Sequence, residues 1–118
     1  MMFEKDMRLV LLLDMYGDLL GEHRRELIEM YYCEDLSLAE IAENSGISRQ
    51  GVRESIKKSE TELRMFEEKL HLVEKFERIR SQCAEKAHAL ENALPLLTDT
   101  DARKALTETA AYLRAIPL

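Results

Sequence analysis

Within ten residues, Arg49 to Lys58, four cations and an amide recur at spacings of three and four: Arg49, Gln50, Arg53, Lys57 and Lys58, with Glu54 among them. On a helix turning 100° per residue, Gln50, Arg53, Glu54, Lys57 and Lys58 fall opposite the apolar pair Val52 and Ile56. Such a face suits nucleic acid. A glutamine amide pairs bidentately with adenine, an arginine with guanine, and lysines suit phosphate oxygens. With Ser48 at its head, the candidate contact set is Ser48, Arg49, Gln50, Arg53, Glu54, Lys57 and Lys58. The segment carries +3 in a chain of −6, which leaves −9 elsewhere. The positive charge is therefore local. The surrounding acid would repel stray phosphate, so binding driven by counterion release would be weak away from a preferred site. The same charges, Lys57 and Lys58 above all, would also serve as an ordinary solvated helix face.

No other grouping supports chemistry. His23, His71 and His88 are scattered, and only Glu67 and His71 stand at ligand spacing, four apart. A surface contact is a commoner outcome for such a pair than half a metal site. There is no glycine-rich phosphate loop. The expectation is no enzyme, no cofactor and no metal.

The elements that position the basic face follow from period and caps. Met7, Val10, Leu11, Asp14 and Met15, with Leu12 and Leu13 widening the stripe, predict a first helix that stops at Gly17. Glu22 opens a second, with Leu27, Ile28, Tyr31 and Tyr32 on its apolar face. Ser37 and Glu40 have the capping-box spacing, so a third helix starts at Leu38, and Gly46 ends it with a left-handed backbone. Ser48 caps the fourth. Two short helices joined by a glycine turn pack steeply only if the crossing positions are small or apolar. Ala42 is small there, and Ile41, Ile47, Val52 and Ile56 are expected in the shared core. That is a helix-turn-helix, weakened only at Ser45, where an apolar residue is more usual. No strand alternation occurs, so the fold class is all-α.

Beyond the fourth helix's start, Leu63, Phe66, Leu70, Val73, Phe76, Ile79, Cys83, Ala87, Leu90 and Leu94 step by three or four. This is one long coiled-coil-like stripe, with runs such as "FEEKLHLVEKFERIR" as its wet side. Unbroken from Arg49 to Leu94 the helix would reach about 69 Å, too long for so small a domain to cover. Ser59 and Glu62 repeat the capping spacing, so a bend or restart is expected near Ser59. A last helix should begin after Asp99 and run to about Ala115, before Pro117, with Ala102, Leu106, Leu113 and Ile116 inward. The expected organisation is a helix-turn-helix domain over residues 1–58 and a helical extension over 59–118 packed on it as one compact unit. The stripe Leu63, Phe66, Leu70, Val73, Phe76 and Ile79 is expected to join two copies as a homodimer, since one short helix covers only part of it.

At 118 residues, with 34% charged beside 46% hydrophobic residues, the chain suits one folded helical domain. No apolar run reaches the roughly 18 residues of a membrane span, and Leu9 to Leu13 is too short for a secretory segment. Cys33 and Cys83 lie far apart, which favours reduced, packed thiols and a cytoplasmic location.

The segments "DMYGDLL" (Asp14 to Leu20), "YYCEDLSLAEIAE" (Tyr31 to Glu43), "ISRQGV" (Ile47 to Val52) and "EEKLHLVEKF" (Glu67 to Phe76) together resemble the YlxM family. These are small bacterial proteins with a helix-turn-helix like that of region four of sigma factors. The resemblance covers residues 3 to about 80. Two positions depart from the family pattern: Gly21 stands where a capping Thr is usual, and Glu54 where Asp is expected. What the resemblance implies is a DNA-binding or regulatory role linked to the signal recognition particle pathway, chiefly through neighbouring genes. DNA or a structured RNA is then the expected partner, with components of that particle also in view. A second class of function competes with it. A protein-interaction module that keeps the fold without binding nucleic acid would fit the acidic remainder and the long apolar stripe.

Overall fold

Six helices organise residues 6–116, the part of the chain that the computed structural model describes, and no strand occurs among them. They are α1 (Arg8–Tyr16), α2 (Glu22–Tyr32), α3 (Leu38–Ser45), α4 (Arg49–Leu70), α5 (Leu72–Ala93) and α6 (Thr100–Ala115). Short 3-10 turns at Gly17–Leu19 and Leu94–Leu96 follow α1 and α5. The protein is all-α. It forms two compact units, the first ending at Val73 and the second beginning at Glu74.

In the first unit α4 is the hub, with α1, α2 and α3 all packed against it. Leu9, Leu12, Tyr16, Leu27, Ile28, Ile41, Val52, Ile56 and Leu63 are buried together there. On α1 the inward face is Leu9, Leu12, Leu13 and Tyr16, whereas Met7 is 65% and Leu11 40% exposed and Asp14 is exposed too. The stripe expected through Met7, Leu11 and Asp14 therefore faces outward. A nine-residue helix with five consecutive apolar residues has no unique apolar face, and its rotation is set instead by Tyr16. The Tyr16 hydroxyl donates to Glu67 Oε1 at 2.6 Å, and its ring lies 5.8 Å from that of Phe66.

That bond also explains where the long helix breaks. α4 runs through Ser59 without interruption, and the expected restart there does not occur. Ser59 is buried, and its Oγ accepts from Arg24 Nε at 3.2 Å; Glu62 pairs with the Arg24 guanidinium. Both side chains of the apparent capping box are thus spent on α2. The break comes at His71, left-handed at φ 56°, with its N–H still donating to Glu67 O at 2.8 Å. Side chains from earlier in the chain then satisfy the first amides of α5. Leu72 N–H donates to Tyr16 Oη at 3.2 Å and Val73 N–H to Glu67 Oε1 at 3.0 Å. Glu67, expected on the wet side, is accordingly buried.

In the second unit, Pro95 lies in the 3-10 turn that follows α5, and Asp99 caps α6 by accepting from the Asp101 and Ala102 amides. The Arg103 guanidinium donates to the carbonyls of Leu94 and Leu97, at 3.3 and 3.1 Å, which fixes the connection. Ala87 and Ala110 are its buried apolar residues; Leu90, Leu106, Leu113 and Ile116 are half-buried. α6 ends at Ala115; Pro117, expected to follow it, lies outside the described residues.

Candidate nucleic-acid interface

The basic face stands on a turn built by three local devices. Ser37 and Glu40 form a reciprocal capping box that starts α3, each side chain accepting from the other's backbone N–H at 3.1 Å. Gly46 closes α3 at φ 73°, a conformation that a side chain would strain. Ser48 then caps α4, its Oγ accepting from Gly51 N–H at 3.0 Å. A Cβ on Gly51 would sit 3.2 Å from that oxygen, so glycine keeps the cap uncrowded.

Ile41, Val52 and Ile56 are buried where α3 and α4 meet, and Ala42 packs against them. Ile47, expected beside them, is 37% exposed. It lies in the turn between the two helices and not on either of their packed faces. Cys33, expected as a packed thiol, is exposed as well, and no disulfide links it to Cys83.

Of the candidate contact residues, Ser48, Arg49, Gln50, Glu54, Lys57 and Lys58 are exposed and Arg53 is half-buried. Gln50 Nε2 donates to Glu54 Oε1 at 3.0 Å, one helical turn away. No acidic residue occupies the first turn of α4. The unpaired amides and positive dipole end of a helix N-terminus favour anions, and here they coincide with Arg49. The start of α4 thus joins a helix N-terminus to an exposed cation, with polar side chains exposed along the same helix. Its frame is acidic: Glu34, Asp35, Glu40 and Glu43 are all exposed, with no cation between residues 34 and 43.

Behind the face, α4 is tied to α2. Arg24 spans Ser59 and Glu62, and the Tyr32 hydroxyl donates to Glu60. The hydrogen bond from Arg24 holds the Glu62 carboxyl below its usual range. Burial, then the bond to Glu60, pushes the Tyr32 phenol upward. These ties join residues 28 to 38 apart in sequence, and the Tyr16–Glu67 tie spans 51. No local spacing announces them. The Gln50–Glu54 pair, by contrast, stands at a spacing that a helix makes adjacent.

Of the expected dimer stripe, Leu63 and Val73 are buried in the first unit, Phe66 and Phe76 are half-buried, and Leu70 and Ile79 are 45% and 41% exposed. Among the described residues, no group of three or more His, Cys, Asp or Glu side chains is placed to hold a metal ion. None of the described helices is long and apolar enough to cross a membrane.

Over residues 3–92 the chain matches the family described as "Putative helix-turn-helix protein, YlxM / p13 like", UPF0122. It belongs to that family. Among curated relatives, a UPF0122 protein of Thermoanaerobacter sp. (strain X514) is 38% identical over 110 residues, covering 93% of this chain and 94% of its own. One from Symbiobacterium thermophilum is 46% identical over 86 residues, 73% of this chain and 80% of its own. One from Oceanobacillus iheyensis is 49% identical over 76 residues, 64% and 72% respectively. The UPF0122 match takes in the helix-turn-helix, the break at His71 and nearly all of α5.

Proposed function

We propose that this protein is a non-catalytic regulator that binds nucleic acid through the N-terminal half of α4. The observation that carries the reading is the exposed cationic face on a capped helix start, Arg49 with Lys57 and Lys58, following α3 across a left-handed glycine turn. Phosphate would be held by Arg49, the Ser48 hydroxyl and the lysines, and bases met by Gln50 and Arg53. Because Arg53 is half-buried, the cleaner test removes Arg49 and Lys58. Arg49→Ala with Lys58→Ala should weaken binding to duplex DNA or hairpin RNA on all sequences alike. It should also reduce the slope of log affinity against log salt by about two, one per lost phosphate contact, with no fall in melting temperature. An unchanged slope would refute the reading.

A protein-binding module is the second reading, favoured by the exposed carboxylates Glu34, Asp35, Glu40 and Glu43. It takes over if the parent binds neither DNA nor RNA in a salt-dependent way. The place of the activity, in or on the signal recognition particle pathway of the cytoplasm, rests on the family resemblance alone. Two copies are further proposed to pair through apolar residues that one chain leaves open, Leu70 and Ile79 among them. Light scattering on the parent and on Leu70→Glu with Phe76→Glu tests that, and a monomeric parent refutes it.

A further inference from the structure

Glu54 places a carboxylate in the middle of a face whose proposed ligand is a polyanion, at a cost in phosphate affinity. The hydrogen bond it accepts from Gln50 Nε2 at 3.0 Å, between two exposed side chains, suggests what offsets that cost. We propose that Glu54 is a positioning residue that fixes the Gln50 amide for reading an adenine in the major groove of duplex DNA. The proposal rests on the nucleic-acid reading above and adds to it the base and the device.

A glutamine amide has two N–H donors on nitrogen and an acceptor oxygen, and its terminal torsion is soft. Free in water, it samples both senses of the amide and many rotamers, and binding must freeze them. A carboxylate one turn along the same helix takes one N–H and so settles which end of the amide is nitrogen. The other N–H and Oε1 remain, a donor and an acceptor side by side. Adenine offers the complement, an acceptor at N7 and a donor at N6, on its major-groove edge. A helix reaches that edge in B-DNA, whereas the deep, narrow major groove of A-form RNA excludes it. The carboxylate repels phosphate on every sequence, and only a contact with adenine offsets that cost, so the pair exchanges general affinity for selectivity.

The two roles of Glu54, charge and hydrogen-bond acceptor, separate by substitution. Glu54→Gln removes the charge and keeps an acceptor within reach of Gln50; Glu54→Ala removes both, and alanine is the better helix former. Binding is measured by competition on duplexes recovered from a randomised library and varied one base at a time. The parent should prefer adenine at one position by about tenfold, and Gln50→Ala should abolish that preference. Glu54→Gln should bind every duplex more tightly with the adenine preference kept. Glu54→Ala should also bind at least as tightly, yet lose most of the preference. If Glu54→Ala and Glu54→Gln behave alike, the positioning role is wrong and Glu54 acts through charge only. A parent that binds duplex DNA without an adenine preference, or binds hairpin RNA alone, overturns this inference and leaves the nucleic-acid reading standing. A parent that binds neither overturns both.

Discussion

The two units hold themselves together by different means. The first has a deep core centred on α4, with Leu9, Ile28, Ile41, Val52, Ile56 and Leu63 fully buried. Buried or half-buried polar groups there bridge helices far apart in sequence, Arg24 to Glu62 and Tyr16 to Glu67. The second has small residues at its buried points, Ala87 and Ala110, while Leu96 and Tyr112 are 82% and 72% exposed. Ion pairs there, Arg114 with Glu91 and Arg78 with Glu74, are exposed to solvent. Since the stabilisation from burial scales with apolar area removed from water, stability should be concentrated in the first unit, which also carries the candidate interface. The helix proposed to make the contacts is therefore built on the better-packed part.

The contrast should show first in core truncations. Leu63→Ala, at a fully buried site on α4, should cost about 2 to 5 kcal/mol in denaturant unfolding, while Leu90→Ala, half-buried, should cost about 1 kcal/mol. Equal losses would mean that the second unit is packed as tightly as the first. Next comes the buried polar tie. Glu67→Ala leaves the Tyr16 hydroxyl and the Val73 N–H without their shared acceptor, at about 2 to 3 kcal/mol. Adding Tyr16→Phe should recover part of that, and strict additivity in the double-mutant cycle would show the bond to be idle.

The titratable groups sharpen the comparison from both ends of the pH scale. Glu62 is held below 4.5 by the hydrogen bond from Arg24. The unfolded chain therefore takes up this proton first, and the stability it contributes is present above about pH 4.5 and lost as pH falls. Glu62→Gln should flatten that acid limb. Tyr16, raised by burial and then by its bond to Glu67, stays protonated above 10 in the folded state. The unfolded chain loses that proton earlier, so stability falls as pH rises past 10, and Tyr16→Phe should lessen the fall in a melting series. The smallest effect belongs to the second unit: Arg114→Ala, at a solvated pair, should leave the melting temperature where it was.

Much of this was legible in the sequence, and the rest failed for definable reasons. Ser37 with Glu40, Gly46, Ser48 and Asp99 are local devices, and each acts as its spacing predicts. Ser59 with Glu62 has the same spacing as a capping box and is not one, because Arg24, 35 residues away from Ser59, claims both side chains. The inward face of α1 was hidden by an excess of apolar residues, and the burial of Glu67 by the distance to Tyr16. Ile47 was misplaced because a turn residue need not share the core of the helices it joins. At the interface, the residue types and their helical phase could be read directly. The half-burial of Arg53 could not, since it depends on packing around α4.

The tie between Tyr16, Glu67 and the start of α5 carries a consequence for timing. First-turn amides of a helix ordinarily have no backbone partner and exchange with solvent freely. Leu72 and Val73 instead donate to groups delivered by α1 and α4. Exchange at Leu72 should require α1 to leave α4, and exchange at Val73 the release of Glu67, so in a hydrogen–deuterium experiment both should be slower than ordinary first-turn amides. The same geometry ties the start of α5 to the docking of Tyr16, since one of its two held amides has the Tyr16 hydroxyl as acceptor. Two amides at a helix end thus become a clock for the opening and closing of a core made largely from residues that precede them.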